Sequence, residues 1–450
     1  MGLKWSMRIY PSVLAGGAAR RLGAAPTAER ASTVLVLAGA GVVLVAACWG
    51  LAHVPNLVLA PRTFLVLFTV AWLAYACGVF VTAQQRGRVT VVVILAIGTL
   101  SRLALLPASP SLSTDVYRYV WDARVSSAGI DPYAYAPVAP EVVGLRDADI
   151  YPRLNHSTWR TVYPPIAQAL FGAVYRVAPD NVFALKAAFG LAELLALAAL
   201  ALLLRTLEIP LGRLTIYAWS PLLIVEIWGS GHLDALVLAA VTIAALASAR
   251  RRDDIAAIFL GIGTLVKLYP AVLLLLLPGR RRASVYALFV IVMIAGTLAA
   301  GGLGHWPIMP MWRYVSDEYF NPGLVRSLVN EPLAALAATA IWVVVIAWRE
   351  RAGSLAERAA PMIAGVIALG ANVFPWYVVW LVPFLAVRPS RSLIVFTGTV
   401  GFAYSFFLSE PWTIPVWARL LQVGPLAIAA VVKLQGVGWL PSLRDGVRAG

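Results

Sequence analysis

ASTVLVLAGAGVVLVAACWGLA, residues 31–52, holds no charged residue, and two further runs repeat the pattern: FLVLFTVAWLAYACGVFVTA at 64–83 and VTVVVILAIGTLSRLALL at 89–106. Arg102 is the one charge among the three. About 20 apolar residues in an α-helix cross the hydrocarbon layer of a bilayer, and similar runs recur toward the C-terminus. Across the 450 residues, 61% are hydrophobic and 13% charged. A soluble core has no use for apolar sequence in blocks of this length.

The formal net charge of +15 invites a nucleic-acid reading. The basic residues, however, stand in short clusters between apolar runs, as the excess of Lys and Arg in cytoplasmic loops requires. No nucleic-acid partner is expected. Residues 1–30, with Lys4, Arg8, Arg20, Arg21 and Arg30, read as a cytoplasmic basic tail. Three transmembrane helices follow in 31–107, joined by turns at His53–Pro61 and at the basic Gln84–Arg88. Residues 108–178 then lie outside, beginning with a long loop and ending in Pro164–Val177, too short to span and opened by two prolines, hence re-entrant or interfacial. This parity puts Arg205–Arg213, Arg250–Arg252, Arg280–Arg282, Arg349–Arg358 and Arg388–Arg391 inside. It also requires an even number of crossings between the Arg250 and Arg280 clusters, so residues 255–278 must form a short hairpin, with Lys267 near the tip and Pro270 breaking the helix. The expected architecture is an all-α polytopic membrane protein of about 12–14 transmembrane helices, with interfacial helices in the first long external loop. A transmembrane bundle occupies 179–301, a second external loop 302–330, C-terminal transmembrane helices 331–435 and a cytoplasmic tail 436–450. Cys48 and Cys77 are the only cysteines, which leaves no disulfide framework.

Polar residues gather in the loop from Asp115 to Pro165, which carries six acidic residues and eight Tyr or Trp. A mere connector is shorter and blander. Ser113 or Thr114 can cap a helix starting at Asp115. On that helix Asp115, Arg118, Asp122 and Ser126 share one stripe, while Val116, Val120, Ala123 and Ser127 share another. The pattern predicts an amphipathic helix lying on the membrane, and the plain alternative is an interfacial anchor with Tyr117, Tyr119 and Trp121 as belt aromatics. Beside the outer ends of later spans come Lys186, Glu193, Glu226, His232, Asp234 and Lys267, then Arg313, Asp317, Glu318 and Arg326. For Lys186 and Glu193, partners within the bundle explain the charges as well as a site does. Lys267, in an apolar setting, needs an anion: a phosphate, or else a structural carboxylate. His53 and His305 read as turn residues. With four histidines and no close pair, no dedicated zinc site is expected. No cofactor is required, and a magnesium or manganese ion held between carboxylates and a phosphate is the remaining metal role.

One carboxylate among several cations suits the transfer of a sugar from a lipid phosphate. Phosphate already leaves well and needs positive charge rather than an acid, while one carboxylate must take the proton of the incoming hydroxyl. A glycosidase would want two carboxylates at controlled separation.

The residues TDVYRYVWDARV (114–125), AGIDPYAYAP (128–137), Asn155-His156 and TVYPPIAQ (161–168) resemble the GT-C superfamily of polyprenyl-phosphate-sugar glycosyltransferases. The branch most similar includes the bacterial phosphatidylinositol-mannoside mannosyltransferases. SPLLIVE (220–226), GHLD (231–234), GIGTLVKLYP (261–270) and FPWYVVW (374–380) extend the likeness to about residue 385. The resemblance implies a GT-C-like bundle, Asp115 as the catalytic base, and inverting transfer on the outer face of a bacterial plasma membrane. The donor would be a polyprenyl phosphate sugar, most often mannose, and the acceptor a lipid-linked or other glycan; both termini would be cytoplasmic. Ala123 stands where the family has glycine, and Asp131 where it has asparagine. On this reading Lys267, Arg313, His156 and Arg118 are the donor-phosphate candidates, and Asp122, Tyr163, His232, Asp234, Trp376 and Tyr377 shape the sugar or acceptor pocket. A lipid or solute transporter is the competing class, but it would place polar groups near the midplane and show matching halves, which the sequence lacks.

Overall fold

A computed structural model describes residues 27–277, 282–349 and 353–434. The greater part of the expected N-terminal tail, the C-terminal tail 436–450, and Arg280 and Arg281 lie outside the described residues. Among the described residues the regular structure is helical, with no strand and one isolated bridge between Pro322 and Asn372. The three opening apolar runs form α1 (Thr27–Ala52), α2 (Pro61–Thr82) and α3 (Arg88–Leu105). The loop that follows holds α4 (Asp115–Ser127) and α5 (Pro165–Val177), and α6 (Val182–Thr206) returns through the bundle. The chain is an all-α polytopic membrane protein.

Six described helices are long and apolar enough to cross a membrane: Ser32–Ala52, α2, α3, α6, Pro332–Arg349 and Arg391–Leu408. A seventh results if Ala283–Ala299 and Leu303–Asp317, bent by 89° to one another, count as one span. Apolar length alone does not show where helices break, so not every one of the roughly 12–14 crossings expected from sequence is a continuous helix of spanning length among the described residues. Pro210, Pro221 and Gly229 divide 207–233 into short pieces, and Asp234–Ala249, Pro375–Val387 and Val416–Val431 stay below spanning length. The stretch expected to form a hairpin holds a helix at Asp253–Thr264, a turn with Lys267, and a short helical piece from Pro270 to Leu276.

Large apolar side chains such as Leu35, Phe80, Leu195, Ile291 and Ile341 are exposed on the outer helices. They form the surface a lipid environment would cover. The helix Asp234–Ala249 is by contrast almost wholly buried, packed against α6, Asp253–Thr264 and Leu355–Leu369. Its N-terminal residue, Asp234, opens toward the end of the bundle where α4 lies. Charges inside the bundle meet polar partners, since an unsatisfied one is costly there. Arg102 of α3 donates to both oxygens of Glu193 on α6 at 2.8 and 2.7 Å. Lys186 donates to the carbonyl of Ala108 at 2.5 Å, where α3 runs out of helical partners.

α4 does not leave its polar stripe to water. Every residue from Val116 to Val125 is buried, because α5, α6 and the surrounding loop close over both of its faces. The sequence period was helical as read, but charged positions on a helix can be satisfied by protein as readily as by solvent.

Candidate active site

Asp115 is the first residue of α4, and its N–H donates to the Ser113 hydroxyl at 3.3 Å. The positive end of a helix favours a carboxylate at that position. The Asp115 side chain remains 18% exposed. Its Oδ1 accepts from the Asn155 amide at 2.5 Å, and its Oδ2 stands 3.6 Å from Nδ1 of His232. Burial raises the Asp115 carboxyl above its ordinary value, against the pull of the Asn155 hydrogen bond and the nearby Lys267 charge. A carboxylate disfavoured in its ionised form by burial is a better proton acceptor than one in water.

One turn on, Arg118 forks between side chain and backbone. Its Nε donates to Asp122 Oδ1 at 2.8 Å, and its terminal nitrogens reach the carbonyls of Trp159 at 3.0 Å and His156 at 3.5 Å. Asp122 Oδ2 in turn accepts from Thr161 at 2.5 Å and Gln168 at 2.8 Å. These bonds pin residues 155–168 to α4 and so hold Asn155 over Asp115. Arg124 does the same for the next stretch, meeting Asp147 at 2.6 Å and Asp180 at 2.7 Å. The Ile166 N–H donates to the Leu265 carbonyl at 3.1 Å, tying the hairpin turn to the start of α5.

Lys267 is paired. Its Nζ donates to both oxygens of Asp234 at 2.8 and 3.0 Å and lies 4.3 Å from the Tyr377 ring centroid. Trp380 donates a further hydrogen bond to Asp234 at 2.6 Å. Of the two partners weighed from sequence, the structure supplies the carboxylate; the lysine side chain keeps 23% of its surface open. His232 is buried, stacked on Trp376 with ring centroids 4.3 Å apart, and its Nε2 lies 3.3 Å from Glu226. The Ile224–Gly229 segment is a π-helix, the wide turn that often marks functional sites, and the His232 N–H closes on the Glu226 carbonyl at 3.1 Å. Gly231 between them has φ +78°, and a Cβ there would sit 2.9 Å from Cγ of Lys186, so only glycine fits.

A small cleft open to solvent lies beside Asp115, lined by Arg118, Asn155, His156, Trp159, Arg160, Val162, Tyr163 and Tyr314. At its mouth His156 lies 3.1 Å from Glu318 and stacks on Trp159 at 4.1 Å. Arg313 covers the Trp159 ring at 4.8 Å and pairs with Asp317 at 3.2 Å. Thus Asp115, Arg118, His156 and Tyr163 meet on the cleft surface. Arg313 stands at its rim through Trp159. Asp122 is enclosed by its partners, while His232, Trp376, Asp234, Lys267 and Tyr377 form a wall behind. Sequence reasoning assigned no role to Asn155 or Arg160. The first was visible as Asn155-His156; the second is an exposed arginine that makes no ion pair among the described residues, and only the folded loop turns it to the cleft. Among the described residues no three His, Cys, Asp or Glu side chains converge as a metal-ligand set.

Residues 12–279 match the family model described as "Alpha-(1->6)-mannopyranosyltransferase, N-terminal domain". No curated protein matches the chain.

Proposed function

The chain belongs to this alpha-(1->6)-mannopyranosyltransferase family, and from that premise we propose that it transfers mannose from a polyprenyl phosphate to a glycan or glycolipid hydroxyl at the outer membrane face. The observation that carries the reading is Asp115: a carboxylate raised by burial, at a helix N-terminus, open to a cleft that also holds Arg160 and His156. In the reaction the acceptor O–H bond breaks and its proton passes to Asp115. The acceptor oxygen bonds to C1 of the sugar as the bond from C1 to the phosphate oxygen breaks, and polyprenyl phosphate leaves with the electron pair. Inversion at C1 and an α product together require a β-configured donor. Arg160, with the outer face of Arg118 and His156, meets the charge on the leaving phosphate. Arg313 contributes from the rim, and Lys267 holds Asp234 while biasing Asp115 toward ionisation. Tyr163, Trp159 and Tyr314 offer rings for a sugar face. Asp122 positions the loop, and Trp376 and Tyr377 back the wall.

The test supplies purified protein in nanodiscs with polyprenyl β-phosphate mannose and a short α-(1->6)-linked mannoside. Extension of the acceptor by one α-(1->6)-mannosyl unit, read by NMR at the anomeric proton, is expected. Movement of the donor across the membrane without a new glycosidic bond would point to a transporter. Addition of a strong chelator is expected to leave the rate unchanged; its loss would place a divalent ion between carboxylate and phosphate.

A further inference from the structure

Behind the base stands a second carboxylate that substrate cannot reach. Glu226 is 0% exposed, and among the described residues its side chain meets two polar groups: Oε1 accepts from the Tyr404 hydroxyl at 2.9 Å, and Oε2 faces Nε2 of His232 at 3.3 Å. His232 itself is 1% exposed, and its other nitrogen faces Asp115 Oδ2 at 3.6 Å. The imidazole therefore stands between one carboxylate in the cleft and one in the interior. Trp376, stacked at 16° to the ring, fixes the plane in which it does so. A buried carboxylate without a cationic neighbour is costly, and among the described residues the imidazole is the group beside Glu226 that can become a cation. The groups that face His232 from the elements around it are Asp115 from α4, Glu226 from the π-helix and, by longer-range charge, Lys267 from the hairpin turn, with Asp234 as its counter-ion and Tyr404 beyond Glu226.

Resting on the assignment of Asp115 as base, we propose that Glu226 and His232 form a proton-holding pair that accepts the acceptor's proton from Asp115 and keeps that base ionised during sugar transfer. In the resting state the neutral imidazole carries its proton on Nε2, 3.3 Å from Glu226, with Nδ1 3.6 Å from Asp115, and neither contact is yet a formed hydrogen bond. When Asp115 takes the proton from the acceptor hydroxyl, its O–H meets Nδ1. Transfer makes an imidazolium flanked by two carboxylates, and the carboxylate form of Asp115 is restored. After the products leave, the proton returns by the same route to water in the cleft. No oxidant or second substrate is needed. Because His232 acts through Asp115 and touches no substrate, it is a positioning residue. Its arrangement differs from the sugar-pocket role read from sequence, since it has no surface in the cleft.

The experiment measures kcat and KM for polyprenyl β-phosphate mannose and a short α-(1->6)-mannoside across pH for wild type, His232→Asn, Glu226→Gln and Asp115→Asn, all full length. His232→Asn is expected to lower kcat by roughly 10- to 100-fold at neutral pH, with each KM within about twofold of wild type. The loss should shrink as pH rises and solvent base takes over the proton, and Glu226→Gln should move kcat in the same direction. Adding His232→Asn to Asp115→Asn should cost nothing further. A wild-type kcat and pH profile in His232→Asn would overturn the proposal, as would a raised KM at unchanged kcat, the signature of a sugar contact. If Asp115→Asn stays fully active, the base assignment itself fails; if it is inactive while His232→Asn is unimpaired, only the relay fails. Should His232→Asn not purify as a monodisperse protein, Glu226→Gln is judged by the same criteria.

Discussion

Asp115 stood out in the sequence as the start of a helix that Ser113 or Thr114 could cap, and as the match to the family's catalytic aspartate; its neighbours were legible only in part. Asn155 lies 40 positions on and Asp234 lies 33 from Lys267, separations at which no helical or strand period carries information. Arg118 illustrates the same limit. Its charge pointed to a phosphate, yet its Nε is committed to Asp122, while Arg160, to which sequence reasoning assigned no role, faces the cleft with no ion pair among the described residues. Arg160→Gln is therefore expected to raise the donor KM by about 10- to 100-fold, the loss of one charge-assisted hydrogen bond. Arg313→Gln, exposed and already paired, should change it by less than about fivefold; the reverse order in titrations of donor would exchange their roles. The pH dependence follows from Asp115. Its base form is the ionised one and burial raises its carboxyl, so kcat/KM falls as pH drops through a value above the ordinary aspartate pKa of about 3.9. A raised carboxyl also costs stability above the unfolded-state pKa. Asp115→Asn should then melt at a higher temperature than wild type at neutral pH, a gain that disappears in acid.

At the level of elements, α4 was readable in length and start but not in environment. Its stripe of Arg118 and Asp122 pointed to water, whereas the partners lie in the loop that folds back over it. The same is true of α3 and α6. Glu193 and Lys186 stand two turns apart on one helix, and a sequence cannot tell that Arg102 of another helix takes the first while carbonyls take the second. Breaking such a buried pair leaves a charge uncompensated, at a cost of about 3 to 5 kcal/mol. Thermal or denaturant unfolding of Glu193→Gln in detergent should show a loss of this order, whereas replacing Arg102 and Glu193 together by Met and Leu should recover much of it. An unchanged midpoint in the single variant would mean that Arg102 finds another partner. The π-helix at Ile224–Gly229 had no signal in the sequence beyond a glutamate in an apolar run.

At the scale of the molecule, hydrophobic blocks gave the class directly but not the continuity of the helices, since proline and glycine breaks turn several apolar runs into short helices. The orientation expected from charge is separately testable. With Cys48 and Cys77 replaced by serine, a cysteine at Asp149, whose side chain is 70% exposed, should react with an impermeant maleimide added to intact cells. A cysteine at Arg251 should react only after permeabilisation, and the opposite pattern would turn the cleft inward. All of these features serve one claim, that the bundle presents Asp115 as a base beside a phosphate-binding cleft. Its most direct measurement is single-turnover mannosyl transfer from labelled polyprenyl β-phosphate mannose in wild type and Asp115→Asn, with donor binding recorded for both. The account predicts equal binding and a transfer rate lower by at least about 100-fold in the variant; transfer at the wild-type rate would contradict it.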